Sequence, residues 1–314
     1  MEIVLALCAA AVYGIADYSG GRASRTVSPI VVTAIGQACG LVVLLVIVLA
    51  SGVPTPPATD WFWGGIGGIA GASGLLAFYK AMGSGFMTVV APVSAVTATA
   101  VPVIVGLSLG ERPSVLSLCG IPVALVAIAL VSDILGPNHR RAPRKILLMS
   151  IGAGSVFGSL FVILGHTSEN SGLWPVLAMR VTSVPFMFVV MYFTKNKPSA
   201  ARPQLKFVAG SGILDTAANA IYLLAVRHGL MSIVATINSF YPASTLMLAV
   251  GLDKEKIHRP QVVGLVLAGV ALVMIRFRNH FSPSAALIIF SDSRAAPLKI
   301  PFDIKDASLL RRTS

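Results

Sequence analysis

Residues 29–50 read PIVVTAIGQACGLVVLLVIVLA, a run without one charged side chain. About 20 consecutive apolar residues are needed to cross the hydrocarbon core of a bilayer as an α-helix. Nine further runs of the same character lie at 3–19, 61–80, 87–109, 114–132, 146–165, 174–194, 206–226, 231–252 and 260–277. Short gaps rich in Gly and Pro separate the runs. The sequence therefore predicts an all-α integral membrane protein with ten transmembrane helices.

The composition favours the same class of protein. Of the 314 residues 55% are hydrophobic and 11% are charged, whereas a soluble domain carries about 25% charged residues. The net charge of +12 comes from Lys and Arg in the gaps and the C-terminal tail, which is typical of membrane proteins and not of nucleic-acid-binding proteins. No spacing of Cys or His indicates a metal or cofactor site. We expect a multi-pass protein of a bacterial inner or plasma membrane, with the bilayer and a small solute as partners; a homo-oligomer stays open.

The charges in the gaps predict an orientation. We number the gaps along the chain, so that the first gap lies between runs one and two. The odd-numbered gaps hold fourteen Lys and Arg residues, whereas the even-numbered gaps hold only Arg112 and Arg227. Short cytoplasmic loops carry the excess of positive residues. We therefore expect the gap between the fifth and sixth runs, with Arg140 and Arg141, in the cytoplasm, and both termini outside. The basic tail favours the opposite orientation.

A shift of 144 residues aligns the chain with itself. It places GFMTVVA at 85–91 on GLMSIVA at 229–235. Each half then holds five runs, over 2–132 and 146–277. Because an odd number of spans turns the second half upside down, we predict two inverted five-helix repeats with a solute site between them near the midplane of the membrane. Residues 278–314 are expected to form a disordered or surface-lying tail.

These features resemble the EamA group of the drug/metabolite transporter superfamily over about residues 2–277. The resemblance is carried by the five-plus-five runs, the pairs Tyr13-Gly14 and Phe157-Gly158, the glutamates Glu111 and Glu255 after runs four and nine, and the stretches 13–21 and 90–94. It implies a transporter with a central cavity lined by runs 1, 3, 4, 6, 8 and 9. Many members carry Trp where this chain has Tyr13 and Phe157.

An ionisable residue inside a membrane span raises the free energy of insertion by at least about 2.5–3.5 kcal/mol. Its presence there therefore indicates a structural or functional role. Asp215 lies near the middle of run eight, and Asn219 and Tyr222 share its helical face. We hypothesise that Asp215 faces a polar cavity, where it binds a solute amine or couples transport by taking up and releasing a proton. The alternative is that Asp215 neutralises Arg180 of run seven, at a depth expected to differ by about 9–12 Å.

Four more residues are candidates for the cavity. Tyr13 and Asp17 belong to run one, and Asn238 and Tyr241 lie near the middle of run nine. Asp17 has the alternative of an interfacial ion pair with Arg22. Asn238 has the alternative of a hydrogen bond to a neighbouring helix.

Two other polar residues are expected to have structural roles. Gln37 of run two is interpreted as a link between helices. Glu111 at the end of run four is expected to pair with the adjacent Arg112 at the membrane interface.

A secondary transporter accounts best for these observations. We expect a proton- or gradient-coupled transporter of a small metabolite, an amine or an amino-acid-like solute, and not an enzyme. The alternatives are a facilitator or channel without coupling and a membrane-embedded enzyme. An enzyme would need a convergent catalytic set, and the sequence offers no Ser/His/Asp set, His-rich motif or metal-ligand spacing.

Overall fold

The structure is a computed structural model that describes residues 1–84, 86–131, 143–252 and 259–276. Within these ranges the chain is helical and contains no strand. The helices are α1 (Glu2–Ala23), α2 (Pro29–Ala50), α3 (Ala58–Met82), α4 (Met87–Ser108), α5 (Val115–Val131), α6 (Arg144–Gly165), α7 (Trp174–Phe193), α8 (Leu205–Val226), α9 (Met231–Asn238), α10 (Tyr241–Leu252) and α11 (Arg259–Arg276). The tail 278–314, Arg140, Arg141 and Glu255 lie outside the described residues.

Glycine ends two of these helices at the position where the backbone turns left-handed. Gly52 lies two residues beyond α2 with a φ of 66°, and Gly110 lies two residues beyond α4 with a φ of 91°. Only glycine adopts this conformation without a steric penalty, and it allows the last carbonyls of a helix to be satisfied. The gaps that follow runs two and four of the sequence are therefore helix ends in the structure.

The helix boundaries repeat with the 144-residue shift. The shift moves Pro29–Ala50 of α2 to 173–194, and α7 spans Trp174–Phe193. It moves Val115–Val131 of α5 to 259–275, which matches α11. It moves Met87–Ser108 of α4 to 231–252, the two ends of the pair α9 and α10. The internal repeat seen in the sequence is thus also a repeat of helices.

Contacts between the two halves come in corresponding pairs. Helix α1 packs against α8, and its counterpart α6 packs against α3. Likewise α2 packs against α8 and α7 packs against α3, while α5 packs against its own counterpart α11. Each half thus contacts the other through equivalent helices. This arrangement is expected when a pseudo-two-fold axis relates the two halves.

Small residues allow these helices to approach closely. A Cβ on Gly212 of α8 would overlap the carbonyl group of Gly36 of α2. A Cβ on Gly68 of α3 would overlap the carbonyl oxygen of Met179 of α7. Association in lipid depends on close van der Waals packing, because the lipid tails are as apolar as the side chains. The glycines therefore determine where the helices cross.

Seven of the described helices are long and apolar enough to cross a membrane: α1 to α4 and α6 to α8. Helices α5 and α11 are shorter apolar helices, and α9 and α10 are shorter still. The prediction of ten continuous spans is corrected at residues 231–252, where the run is interrupted at Ser239 and Phe240. Pro242 has no N–H to donate to the carbonyl of Asn238, which removes a hydrogen bond that a continuous helix would have at this point.

Candidate functional site

A cavity lies where helices of both halves meet. Its wall includes residues of α1, α2, α3, α4, α6, α7, α8 and α10. Helices α1 and α2 pack against α8, and α3 packs against α6 and α7. Concave sites with mostly apolar walls and a few polar groups are typical of small-molecule sites.

The polar part of the wall comes from α1, α2, α7 and α8. It consists of Asp17, Gln37, Arg180, Asp215 and Asn219. The last two lie four residues apart on α8, and the Nδ2 of Asn219 donates a hydrogen bond of 2.7 Å to the backbone carbonyl of Asp215. The shared helical face predicted for Asp215 and Asn219 thus borders the cavity.

The apolar part of the wall uses the equivalent positions of the other half. The 144-residue shift relates Asp215 to Gly71 and Asn219 to Leu75, and these two residues of α3 also line the cavity. Phe157 and Leu160 of α6 continue this surface. Matching backbone positions therefore carry polar groups in one half and apolar groups in the other, so the cavity has two chemically different sides.

Arg180 and Asp215 form an ion pair at the polar side of the cavity. The Nη2 of Arg180 lies 2.6 Å from the Oδ2 of Asp215, and the two side chains are 4% and 14% exposed. A long Arg side chain can bridge much of the expected difference in depth by tilting toward Asp215. The contact is the one anticipated by the alternative in which Asp215 neutralises Arg180.

Four polar atoms of the cavity wall are buried and have no hydrogen-bond partner among the residues that the structure describes. They are the hydroxyl oxygen of Tyr13, Oε1 of Gln37, Nε of Arg180 and Oδ1 of Asn219. Buried polar groups in proteins are almost always paired, and an unpaired one costs about 1–3 kcal/mol. Their convergence on one cavity is typical of groups that a ligand satisfies.

Asp17 lies half-buried in the cavity wall. Among the residues that the structure describes, none makes a hydrogen bond or an ion pair with its carboxylate. The interfacial pair with Arg22 is therefore not formed. Instead, Nη1 of Arg22 donates a hydrogen bond of 2.9 Å to the hydroxyl of Tyr18, and the guanidinium lies 5.2 Å from the ring centre of Phe207.

Tyr241 is the first residue of α10 and lines the cavity directly after the interruption of the helix. Its hydroxyl lies 3.1 Å from the hydroxyl oxygen of Ser94 on α4. Through this contact the cavity wall joins the interrupted helix pair of the second half to the continuous helix of the first.

Tyr222 and Asn238 do not line the cavity, although the sequence suggested it. Tyr222 packs its ring 4.4 Å from that of Phe161 and lies behind the wall. Asn238 is fully buried at the end of α9, and within the described part of the chain both polar atoms of its side chain lack a partner. Positions 215 and 222 share a helical face, so the difference lies along the helix axis, where seven residues separate Tyr222 from Asp215 by about 10 Å.

Gln37, Phe157 and Phe161 are cavity residues that the sequence did not nominate as such. Gln37 is 2% exposed and its unpaired oxygen belongs to the polar wall, so it is more than a link between helices. Phe157 is the repeat counterpart of Tyr13, and Phe161 is the counterpart of Asp17. Applying the 144-residue shift to the candidates Tyr13 and Asp17 would have identified both phenylalanines as cavity residues.

Comparisons with known proteins agree with this architecture. The model of the EamA-like transporter family matches the chain twice, over residues 1–133 and 144–277. An uncharacterized protein of Methanocaldococcus jannaschii is 22% identical over 128 residues, which cover 41% of this chain and 89% of that protein. That relative is therefore little longer than one repeat. A protein of known crystal structure shares the fold with a TM-score of 0.69 at 14% identity, covering 90% of this chain and 98% of its own.

Proposed function

Because this chain belongs to the EamA-like transporter family, we propose that it is a gradient-coupled secondary transporter of a small zwitterionic solute with an apolar side group. The solute is expected to bind in the cavity between the halves. Alternating access then arises as two inverted five-helix repeats, with ten membrane crossings, move against each other. The family match and the apolar helices make the chain a multi-pass membrane protein.

The unpaired polar atoms of the cavity wall support a zwitterion most directly. Oε1 of Gln37, Oδ1 of Asn219 and the carboxylate of Asp17 are acceptors suited to an ammonium group. Nε of Arg180 is a donor suited to an acidic oxygen, and the hydroxyl of Tyr13 can serve either group. A solute that lacks one of its two charged groups would leave part of this set buried and unpaired. Such mismatches discriminate strongly between otherwise similar ligands.

The apolar side of the cavity supports an apolar substituent on the solute. Leu75, Phe157 and Leu160 offer aliphatic and aromatic surface opposite the polar groups. Burial of apolar surface contributes about 25 cal/mol per Å², so a side group of a few carbon atoms adds useful affinity. The distribution of polar and apolar positions between the halves favours one orientation of the solute.

The coupling charge in this proposal is Asp17 and not Asp215. Asp215 already neutralises Arg180 and holds its guanidinium at the cavity wall. The carboxylate of Asp17 has no ion-pair partner among the described residues. It can therefore bind a proton in one step of the cycle and the ammonium group of the solute in another. Because the proton and the ammonium group compete for this one carboxylate, binding of one requires release of the other, and the two are exchanged.

Matched triplets of small molecules test the proposal. Leucine, 3-methylbutylamine and 4-methylpentanoate share one side group, and so do phenylalanine, phenethylamine and 3-phenylpropionate. We expect one zwitterion to raise the thermal unfolding temperature of the purified protein, with a stabilisation of about 2.7 kcal/mol at a hundredfold excess over its Kd. The matched amine and acid should have much smaller effects.

Flux assays complete the test. In proteoliposomes a pH gradient should drive accumulation of the stabilising zwitterion, and an ionophore that collapses the gradient should abolish it. Equal stabilisation by the amine or the acid would contradict the two-group site. Equilibration without accumulation would identify an uncoupled facilitator, and the absence of any flux for every ligand that binds would contradict transport.

A further inference from the structure

Asp60 binds the second half of the protein from the first turn of α3. Its side chain is 2% exposed, and Oδ1 accepts two hydrogen bonds of 3.1 Å, from the backbone N–H and the hydroxyl of Ser168. Ser168 follows α6, so these bonds join the two halves at one end of the helix bundle. We call this end, where α3 begins and α4 ends, the latch end.

Glu111 makes the same kind of contact from the end of α4. Its Oε1 accepts a bond of 2.7 Å from the N–H of Met231, and its Oε2 accepts bonds of 3.1 and 2.5 Å from the N–H and the hydroxyl of Ser232. A carboxylate at a helix N-terminus satisfies free N–H groups and opposes the helix dipole. The expected local pair with Arg112 is therefore replaced by a bond that caps α9 across the halves.

Further contacts surround Ser168 at the latch end. Nη2 of Arg227 donates hydrogen bonds of 3.0 Å to the carbonyl of Ser168 and 2.8 Å to the hydroxyl of Ser171. Burial lowers the pKa of the Arg227 guanidinium, while the carboxylates of Asp60 and Glu169 raise it. The segment after α6 is thus held between an acidic group of the first half and a basic group of the second.

Among the described residues the opposite end of the bundle has no equivalent of the Asp60 contact. The 144-residue shift relates Asp60 to Gln204 and Ser168 to Ser24, and within the described ranges neither counterpart bonds to the other half through its side chain. The ring of Tyr79 fills the space beside Gly20 there, so that a Cβ on this glycine would overlap it. The counterpart of Glu111 lies outside the described residues. The described contacts at that end, which include the guanidinium of Arg22 over the ring of Phe207, therefore differ from the carboxylate bonds of Asp60 at the latch end.

We propose that Asp60 and Glu111 form a latch that holds the latch end closed, and that this end opens when the carboxylates release Ser168, Met231 and Ser232. The inference rests on the proposed transport function. Any motion that separates the halves at this end must break both sets of bonds, because each carboxylate belongs to the first half and each set of donors to the second. Helix α9 connects the Glu111 contact to the interruption beside Tyr241, so solute in the cavity and the latch act on the same short helix.

Accessibility of a cavity cysteine tests the latch without any solute. Cys8, Cys39 and Cys119 are replaced by Ser, and Ala98→Cys places a reporter in the cavity wall. Ser51→Cys in a separate protein marks the latch side, since Ser51 follows α2 at that end. A membrane-impermeant methanethiosulfonate reagent is applied to each side of oriented proteoliposomes. Asp60→Asn and Glu111→Gln should each accelerate labelling from the latch side about tenfold, and Gln204→Ala should not.

Each outcome bears on the proposal. Unchanged labelling in folded Asp60→Asn and Glu111→Gln proteins would overturn the latch and leave the transport proposal standing. Faster labelling without measurable flux of any solute would support the latch and count against transport. If either carboxylate variant fails to fold, Ser168→Ala and Ser232→Ala remove the hydroxyl donors alone. These variants should accelerate labelling in the same direction by a smaller factor, and equal rates to the parent would contradict the latch.

Discussion

Arg180 and Asp215 meet in an ion pair of 2.6 Å whose two side chains are almost entirely withdrawn from water. Removing one partner of a buried pair leaves an uncompensated charge and costs about 3–5 kcal/mol, whereas removing both is far less harmful. We therefore expect Asp215→Asn and Arg180→Gln each to lower the thermal unfolding temperature in detergent. The double variant should regain most of the lost stability.

Transport by the same variants separates a structural role of Asp215 from a coupling role. Recovery of gradient-driven uptake in the double variant of Arg180 and Asp215 would exclude Asp215 as the coupling charge. A coupling role would instead appear as Asp215→Asn protein that exchanges solute across the membrane but no longer accumulates it. Because Asp215 is already paired with Arg180, we expect the double variant to accumulate solute in response to the gradient. Its affinity for the solute should be lower, since Arg180→Gln also removes the donor proposed for the acidic group of the solute.

Asp17→Asn should abolish accumulation driven by a pH gradient and leave the fold intact. The carboxylate has no hydrogen bond or ion pair with any described residue, so its loss should change the free energy of unfolding by no more than about 0.5 kcal/mol. Asp17→Glu keeps the charge and should retain part of the activity. Uptake at the parental rate by the Asn variant would contradict the role proposed for Asp17.

Gly212→Ala and Gly210→Ala form a matched pair on α8. A methyl group at position 212 would overlap the backbone of Gly36, whereas nothing lies within 4 Å of the Cβ position at Gly210. Overpacking of this kind costs about 1–3 kcal/mol. We expect a clear fall in unfolding temperature for the 212 variant and none for the 210 variant. Equal behaviour of the two would show that α2 and α8 do not meet at these glycines.

Loop labelling tests the orientation predicted from the charges. Asn138, in the basic gap before α6, lies outside the described residues, and Ser51 lies at the latch end. A cysteine at position 138 should react with an impermeant maleimide only after permeabilisation of the cells, and one at position 51 should react in intact cells. The reverse pattern would place the latch end in the cytoplasm.

The sequence was sufficient to predict the framework of the molecule. Hydrophobic length determines where membrane helices run, and the 144-residue shift correctly paired α2 with α7 and α5 with α11. The family resemblance is confirmed by the match to both halves of the chain. These features depend on local composition and on periodic spacing, which a sequence displays directly.

Details of the site depend on how helices tilt and rotate, and spacing does not reveal this. An expected offset of about 9–12 Å along the helices left open whether the long side chain of Arg180 reaches Asp215, and the structure shows that it does. Tyr222 shares a face with Asp215 in sequence but packs behind Phe161. Glu111 bonds to a helix 120 residues away and not to its neighbour, since the ends of two helices meet only after folding.

The interruption between α9 and α10 has no counterpart in α4, which runs unbroken over the equivalent residues. In a protein of two identical halves, exchange of their conformations would relate the two access states of the transport proposed above, and their free energies would be equal. Pro242 has Ala98 as its repeat counterpart, so the two halves of this chain are not equivalent at the interruption. On the proposed mechanism the empty protein therefore has a preferred resting side, and solute binding shifts an equilibrium that is already biased before the cavity is filled.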